Sequence, residues 1–484
     1  MSTDPVYRHL DEHLDEHVQL LREFVQQPSV SVSGEGVADC AELVAEHYRM
    51  LGCQEVEVVP TDAFPVVWAY YDAGAPVTLV NYSMYDERPV GDASAWTHDP
   101  YGATIEPRGD LPAVMYGRGA LVPKGPDIAW LSALRAIKEG AGELPVNIAF
   151  LAEGSEIIGS PGYTAVIDRY AERLRGVDGC LYVRAGQNAA GELPVFLGYK
   201  AFFTLELKAT GRAWGRGPVE DAAHSATRTI VDSPALRLVQ ALATLFTPDG
   251  DIGVPAWTTS LLPAQVPAAE RELVDELIRR FPDKQWNTAI PGLATSGLRV
   301  YAHDLTGDEV LTRYLYGSSL NIQGVYSGYT GPGSRTYTIP HEATALLDAR
   351  LLTPQSTDEV IAGLREHLDE AGFPDVQLTV KGAYPASSTP PDAPLVRSFL
   401  DAAGRAGGRP VVWPRSGGGG PWSIFNHRFG APVVFGTGIG TGGNPGGVDE
   451  YLVLDGGGKQ PGLPEMQRFC VDLITDFAAR KGNR

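Results

Sequence analysis

Leu10, Leu14, Val18, Leu21 and Phe24 recur every three or four positions and predict an opening helix. A second helix is predicted from Val37 to Leu51, closed by Gly52. Short apolar runs then alternate with helical segments. VVWAYY and PVTLVNYS have the look of buried strands, Asp127 to Glu139 of a helix, and VNIAFLAE and CLYV (near Cys180) of further strands. This alternation predicts an α/β layer fold. The texture changes near Tyr199, where AFFTLELKATG alternates between two faces. A helix from about Ser233 to Leu245, the strand TALLDARLL, a helix from Thr357 to Ala371 and the strand VQLTVKGAY follow. Together they predict a small α+β two-layer sandwich inserted into the α/β domain. The Pro-rich PASSTPPDAP is the return linker, after which a helix at Ala393 to Ala406 and the strand PVVFGTG resume the first domain. The expected parts are 1–198, 199–384 and 385–484, with no internal repeat and no long low-complexity tract.

A length of 484 residues exceeds one core and favours such a division. With 39 basic and 59 acidic side chains the net charge is −20, which repels phosphates and argues against a nucleic-acid partner. Cys40, Cys53, Cys180 and Cys470 are scattered without a CxxC pair, so a reducing cytoplasm is the plainer expectation than a disulfide framework. The charged N-terminus lacks an apolar signal core, and no run of about 18 apolar residues predicts a membrane span. His9, His13 and His17 share one helix face at i, i+4 spacing. A metal could bind such a pair, while histidines set among Asp and Glu also fit a solvated face.

Several phrases carry chemistry. In order they are SMYDERP (83–89), WTHDPY (96–101), YGRGALVPKG (116–125), EGSEIIGSPG (153–162) and AAHSA (222–226). LNIQGVYSGYTGPGSRTYTIP (320–340), ARLLTP (349–354), RSGGGGP (415–421) and GVDEY (447–451) follow. They resemble the dinuclear zinc peptidases and amidohydrolases of the aminoacylase, carnosinase, glutamate carboxypeptidase and succinyl-diaminopimelate desuccinylase family. The resemblance implies a zinc-peptidase-like α/β/α catalytic domain, with the inserted sandwich acting as lid and dimerisation domain.

That family holds two zinc ions with two His, two Asp and one Glu. Carried over residue by residue, its five ligand positions fall here on Met84, Val122, Ile157, Arg184 and Gly446. None of these can serve, and an arginine would repel a dication. The expectation is therefore a divergent member with no metal and no other cofactor.

Other family residues are retained. Glu156 matches the catalytic base, and Ile157 and Ile158 would supply an apolar setting that raises its pKa. A glutamate kept as a fold-supporting hydrogen-bond acceptor reads the same. His224 matches the lid histidine that polarises the scissile carbonyl, often from the other subunit. It also fits a capping or surface histidine. Asn321, Arg350 and the glycines Gly417 to Gly420, with Gly418 and Gly419 at the centre, match the site for a substrate carboxylate. Arg350 equally fits an ion-paired strand arginine. Asp86 orients a His ligand in the family. Here it is expected to pair with Arg184, whose guanidinium would take the zinc position, with Lys124 as a second candidate cation. Such a cation stabilises a developing oxyanion, or the pair merely fills a dead cavity. Lys200 stands where the family often has an arginine.

Three functional classes follow. The first is a metal-independent enzyme acting on a small carboxylate-bearing amino-acid derivative or dipeptide. Its chemistry would be amide cleavage or formation, or proton transfer such as epimerisation, cyclisation or elimination, in a setting of specialised biosynthesis. The second is a non-catalytic protein that binds a peptide, an amino acid or a partner. The third is a zinc hydrolase with relocated ligands. A homodimer through the inserted domain is implied by the resemblance.

Overall fold

The apolar runs of the chain's first part become strands of one eight-stranded sheet in the computed structural model, which describes residues 3–188, 190–283, 285–290, 293, 296–328 and 337–482. Contacts divide the chain into two units. One holds residues 1–198, 388–414 and 421–484, and the other holds 199–387 and 415–420.

In the first unit the strand order is Glu55–Val59, Val66–Tyr71, Asn147–Glu153, Thr78–Met84, Gly179–Ala185, Val433–Gly438, Glu192–Phe196 and Arg409–Trp413. Asn147–Glu153, Thr78–Met84, Gly179–Ala185 and Val433–Gly438 run parallel. Their sequences are apolar on both faces because both faces are covered, as parallel sheets require. The carboxyl ends of adjacent parallel strands gather Met84, Glu153 and Arg184 at one edge, which is where open α/β sheets form ligand sites.

The helix expected over 127–139 spans Gly125–Ala141. It has Pro126 in its first turn, where a missing N–H costs nothing, and Gly142 at φ 90° as its stop. The opening helix is two helices, Asp4–Glu12 and Leu14–Gln26, broken at His13. The break rotates the apolar stripe, so Val6, Leu10, Leu21 and Phe24 are buried while Leu14 and Val18 keep some exposure. It also turns His17 inward to 1 % exposure against Gln467, at 3.0 Å, which corrects the solvated-face expectation for that residue. His9 and His13 stack on each other at 4.0 Å.

The second unit is built on an antiparallel sheet ordered Ser319–Tyr326, Glu342–Leu351, Ala201–Thr210 and Gln377–Tyr384. Ala201–Thr210 alternates strictly between buried and part-exposed positions. Its inner face packs with residues of the helices Pro234–Thr244 and Thr357–Glu370 in one core. Residues 415–420, placed by sequence with the first domain, pack here. The Lys200 N–H donates to the Gly418 carbonyl at 3.1 Å, and Arg415 pairs with Glu270 at 2.7 Å.

Candidate active site

Three of the five former ligand positions are bound together at the sheet edge by two buried carboxylates. Asp86 follows the Thr78–Met84 strand and is fully buried. It accepts from the Ser31 hydroxyl at 2.6 Å, the Glu156 N–H at 3.1 Å and the Ile157 N–H at 3.0 Å. The turn Glu156–Ile158 is thereby fixed to the end of the neighbouring strand. Burial, and then the charge of Glu156, push the Asp86 carboxyl up to about 7, against the pull of those donors. Glu450 performs the matching task on the other side. It accepts the N–H groups of Gly119, Leu121, Val122 and Gly446, and it pairs with the buried Arg118 at 2.7 Å.

Asp86 does not pair with Arg184. Its oxygens are taken by Ser31 and two backbone amides, and the Arg184 guanidinium instead lies over the rings of Tyr182, at 5.9 Å, and Phe435, at 5.6 Å. Among the described residues Arg184 makes no ion pair. Lys124 is likewise committed elsewhere. It is fully buried, paired with Glu87 at 2.8 Å and donating to the Gln27 carbonyl at 2.7 Å.

The space beside Gly446 is taken as well. This glycine sits at φ 68°, and a Cβ there would lie 2.7 Å from Cδ of Arg88, so the exposed Arg88 stem covers the place of the family's last histidine.

Val122, Glu156, Ile157, Arg184 and Gly446 all retain partial exposure in an otherwise buried edge, so solvent reaches these positions. Beneath them lies a polar aromatic layer. Tyr82 donates to Glu153 at 2.5 Å, Ser160 donates to the same oxygen at 3.0 Å, and Glu153 Oε2 is buried without a hydrogen bond. Burial holds Glu153 well above the usual carboxylate range. The Tyr182 hydroxyl is also buried and unbonded. It feels the charges of Arg184, Asp127, Glu156 and Asp86.

Sequence reasoning missed Tyr182. Tyr182 stands two residues before Arg184, hence on the same strand face, a signal that was available.

These residues do not fit a zinc pair. Valine, isoleucine and glycine offer no side-chain donor, methionine offers a soft thioether, and arginine is a cation. No cluster of three or more His, Cys, Asp or Glu suited to a metal occurs among the described residues.

The remaining sequence-predicted residues lie in the second unit. Asn321 donates to Asp348 at 2.9 Å, and Arg350 stands 3.5 Å from Asp348 and over Phe202 at 3.7 Å, so all three line one sheet face. The Gly418 N–H is engaged by Ser416 at 3.0 Å and is not exposed for a ligand as expected. A Cβ on Gly419 would lie 2.5 Å from the Lys200 carbonyl, so close packing accounts for that glycine. His224 is exposed, its Nδ1 caps Ala226 at 3.1 Å, and its ring stacks on Tyr337 at 6.1 Å. Residues 329–336, within the phrase at 320–340, lie outside the described residues. Lys200, left without a role by the sequence, is buried and donates to the carbonyls of Tyr314 at 2.7 Å and Gly317 at 2.6 Å.

Comparison with known proteins agrees with this geometry. Residues 84–457 match the profile of "Peptidase family M20/M25/M40". The chain is 25 % identical over 389 residues to a Cys-Gly metallodipeptidase of Schizosaccharomyces pombe, covering 76 % of each. It is 25 % identical to the human Beta-Ala-His dipeptidase, covering 76 % of this chain and 71 % of that one. Among solved structures it superposes on an M20 family metallo-carboxypeptidase from Sulfolobus solfataricus with a TM-score of 0.79 and 26 % identity, over 96 % of this chain and 99 % of the other.

Proposed function

We propose, from the premise that the chain belongs to peptidase family M20/M25/M40, that it is an acid–base enzyme working without metal on a small carboxylate-bearing amino-acid derivative or dipeptide. The observation that carries this reading is Arg184. It is a guanidinium at a former ligand position, partly exposed and without an ion pair among the described residues, on the same sheet edge as Glu156. A cavity closed for stability alone would pair or remove such a charge, because an uncompensated one is costly. Held there, it serves an oxyanion as it forms, while Glu156 takes a proton from water or from a substrate carbon. The relatives whose names give substrates are dipeptidases, which supports a substrate of that size.

A panel of dipeptides and N-acyl amino acids, incubated with chelator-treated protein, tests the reading. The expected outcome is turnover that survives the chelator and falls roughly a hundredfold or more in Glu156→Gln, with binding kept. Turnover that requires added zinc, or binding without turnover across the panel, would replace it with a metal hydrolase or a binding protein.

We also infer a homodimer through the second unit. Its strand Ser319–Tyr326 exposes Val325 at 50 % and Tyr326 at 57 % and, among the described residues, lies at the edge of its sheet, an edge that a second copy would cover. Light scattering that gives the mass of a single chain would exclude this.

A further inference from the structure

Arg88 follows Asp86 and Glu87 in the chain, yet both of those carboxylates have partners of their own. Asp86 is taken by Ser31 and the amides of Glu156 and Ile157, and Glu87 is paired with the buried Lys124. The acids of the loop that faces Arg88 are engaged as well. Glu450 holds Arg118 and four backbone amides, and Asp449 accepts from the N–H and the hydroxyl of Thr97, both at 2.8 Å. Arg88 itself is exposed, and among the described residues it makes neither an ion pair nor a hydrogen bond.

Its stem nevertheless lies against a fixed backbone. Gly446 is held at φ 68° with its N–H on Glu450 at 3.2 Å. A Cβ there would meet Arg88 Cδ at 2.7 Å and Nε at 3.3 Å, so the arginine occupies the space that a side chain at this former ligand position would fill. The same backbone connects to Arg184 in two ways. One oxygen of Glu450 holds Gly446 and the other holds Val122, and the segment Ala120–Lys124 packs on the strand Gly179–Ala185 that carries Arg184. From the opposite side, Thr437 pairs in register with Arg184, and the chain continues past Gly440, whose carbonyl accepts from the Gly186 N–H at 3.1 Å, to reach Gly446. Two guanidiniums without a carboxylate partner therefore stand on one solvent-reached edge. Arg184 occupies one former ligand position and Arg88 covers another.

We propose that Arg88 binds the free carboxylate of the ligand. The proposal rests on the metal-free reading above for the kind of ligand, and it gives that ligand's carboxylate a partner while Arg184 serves the oxyanion. The chemistry is matched. A guanidinium offers its Nε–H and Nη–H groups as a planar fork to the two oxygens of a carboxylate, and a cation whose neighbouring acids are all engaged has its fork open. A second positive charge on the same edge adds a field that favours an anion over a neutral or cationic ligand. The site is therefore selective for N-acyl amino acids and dipeptides with a free carboxylate against their carboxamides.

The test has two readouts on the full chain treated with chelator. Phenylglyoxal labels arginines, and peptide mass spectrometry follows Arg88. The probes are N-acetylglycine, N-acetylglutamate and glycylglycine, each in large excess, and the carboxamide of each. At least one acid is expected to slow the labelling of Arg88 by about fivefold or more, as mass action requires of an occupied site, while its carboxamide does not. Arg173, an exposed arginine paired with Glu55, labels at one rate throughout. The second readout uses a substrate found in the panel above. Arg88→Gln keeps a polar stem over Gly446 and removes the charge, and it raises KM for the acid by about tenfold or more with a smaller effect on kcat. KM for the carboxamide does not move, and Arg88→Lys restores part of the affinity. Because Arg88 is exposed, these variants spare the fold. Equal protection by acid and carboxamide, or protection by no probe, overturns the proposal. Turnover that Arg88→Gln impairs equally on acid and carboxamide also overturns it and leaves the metal-free enzyme in place. Acid-selective protection of Arg88 in a chain that turns over nothing sustains the carboxylate site and overturns the enzymatic reading instead.

Discussion

The backbone N–H of Ile157 donates to the carboxylate of Asp86 at 3.0 Å, so a position that lost its ligand side chain still holds the site together through its main chain. Asp86 therefore acts as a bracket joining the ends of two parallel strands. Removing it in Asp86→Ala leaves the amides of Glu156 and Ile157 and the Ser31 hydroxyl without their acceptor. The expected loss is about 3 kcal/mol, read from urea unfolding.

The same carboxyl makes stability fall as pH rises. Its folded pKa, about 7, lies above its unfolded value of 3.8. Below 3.8 the acid is protonated in both states and there is no penalty. Between those values the folded state keeps a proton that the unfolded state releases, so stability drops as pH climbs through the window and the penalty is complete above about 7. Unfolding free energies of wild type and Asp86→Asn, taken from denaturant titrations from pH 4 to 8, are expected to diverge in that direction by about a few kcal/mol at most. A difference that does not change with pH would contradict the buried-acid assignment.

No single reversion should restore zinc. Met84→His returns one imidazole to a site whose other positions remain Val122, Ile157, Arg184 and Gly446, with a cation among them. Isothermal titration of Met84→His with zinc is expected to show no site beyond that of wild type. Tight binding by that variant would contradict the reading that the remaining side chains do not fit a metal.

Periodicity made much of the fold legible. Val37–Leu51 and its Gly52 stop, the buried runs and the strict alternation in Ala201–Thr210 each follow from one face meeting a core. The family's phrases located the candidate site for the same reason, because their spacing is tied to strand ends. What sequence could not give was partnership. Asp86 and Arg184 look complementary on paper, but Asp86 is held by the Ser31 hydroxyl and two backbone amides, and Arg184 lies over the rings of Tyr182 and Phe435. Lys124 is claimed by Glu87, and the break at His13 turns His17 inward although the helical period places it with its exposed neighbours.

Arg118 and Glu450 form the ion pair on which the loop of Val122 and the loop of Gly446 both depend. With 1 % and 0 % of their side chains exposed, neither charge has water to fall back on. Arg118→Met leaves Glu450 buried with backbone donors alone, and the expected cost is about 3–5 kcal/mol. Glu450→Gln with Arg118→Met should recover part of that loss. A double-mutant cycle by urea unfolding reads the coupling.

Lys200 offers a titration of the opposite sign in the second unit. Burial, then Arg415, Arg350 and Arg313, lower it from 10.5 to about 7, against two short carbonyl hydrogen bonds that favour the ammonium. Below about 7 the lysine is charged in both states and its burial opposes folding in full. From about 7 to 10.5 the folded state sheds a proton that the unfolded state keeps, so this residue makes stability rise with pH across that window. Lys200→Met removes the titration and should flatten the rise. The comparison is between denaturant midpoints of the two proteins at pH 7 and pH 9. If instead the two carbonyl bonds dominate, the lysine stays charged throughout. The wild-type and Lys200→Met curves would then run parallel, with the variant lower by the lost hydrogen bonds, about 1–3 kcal/mol.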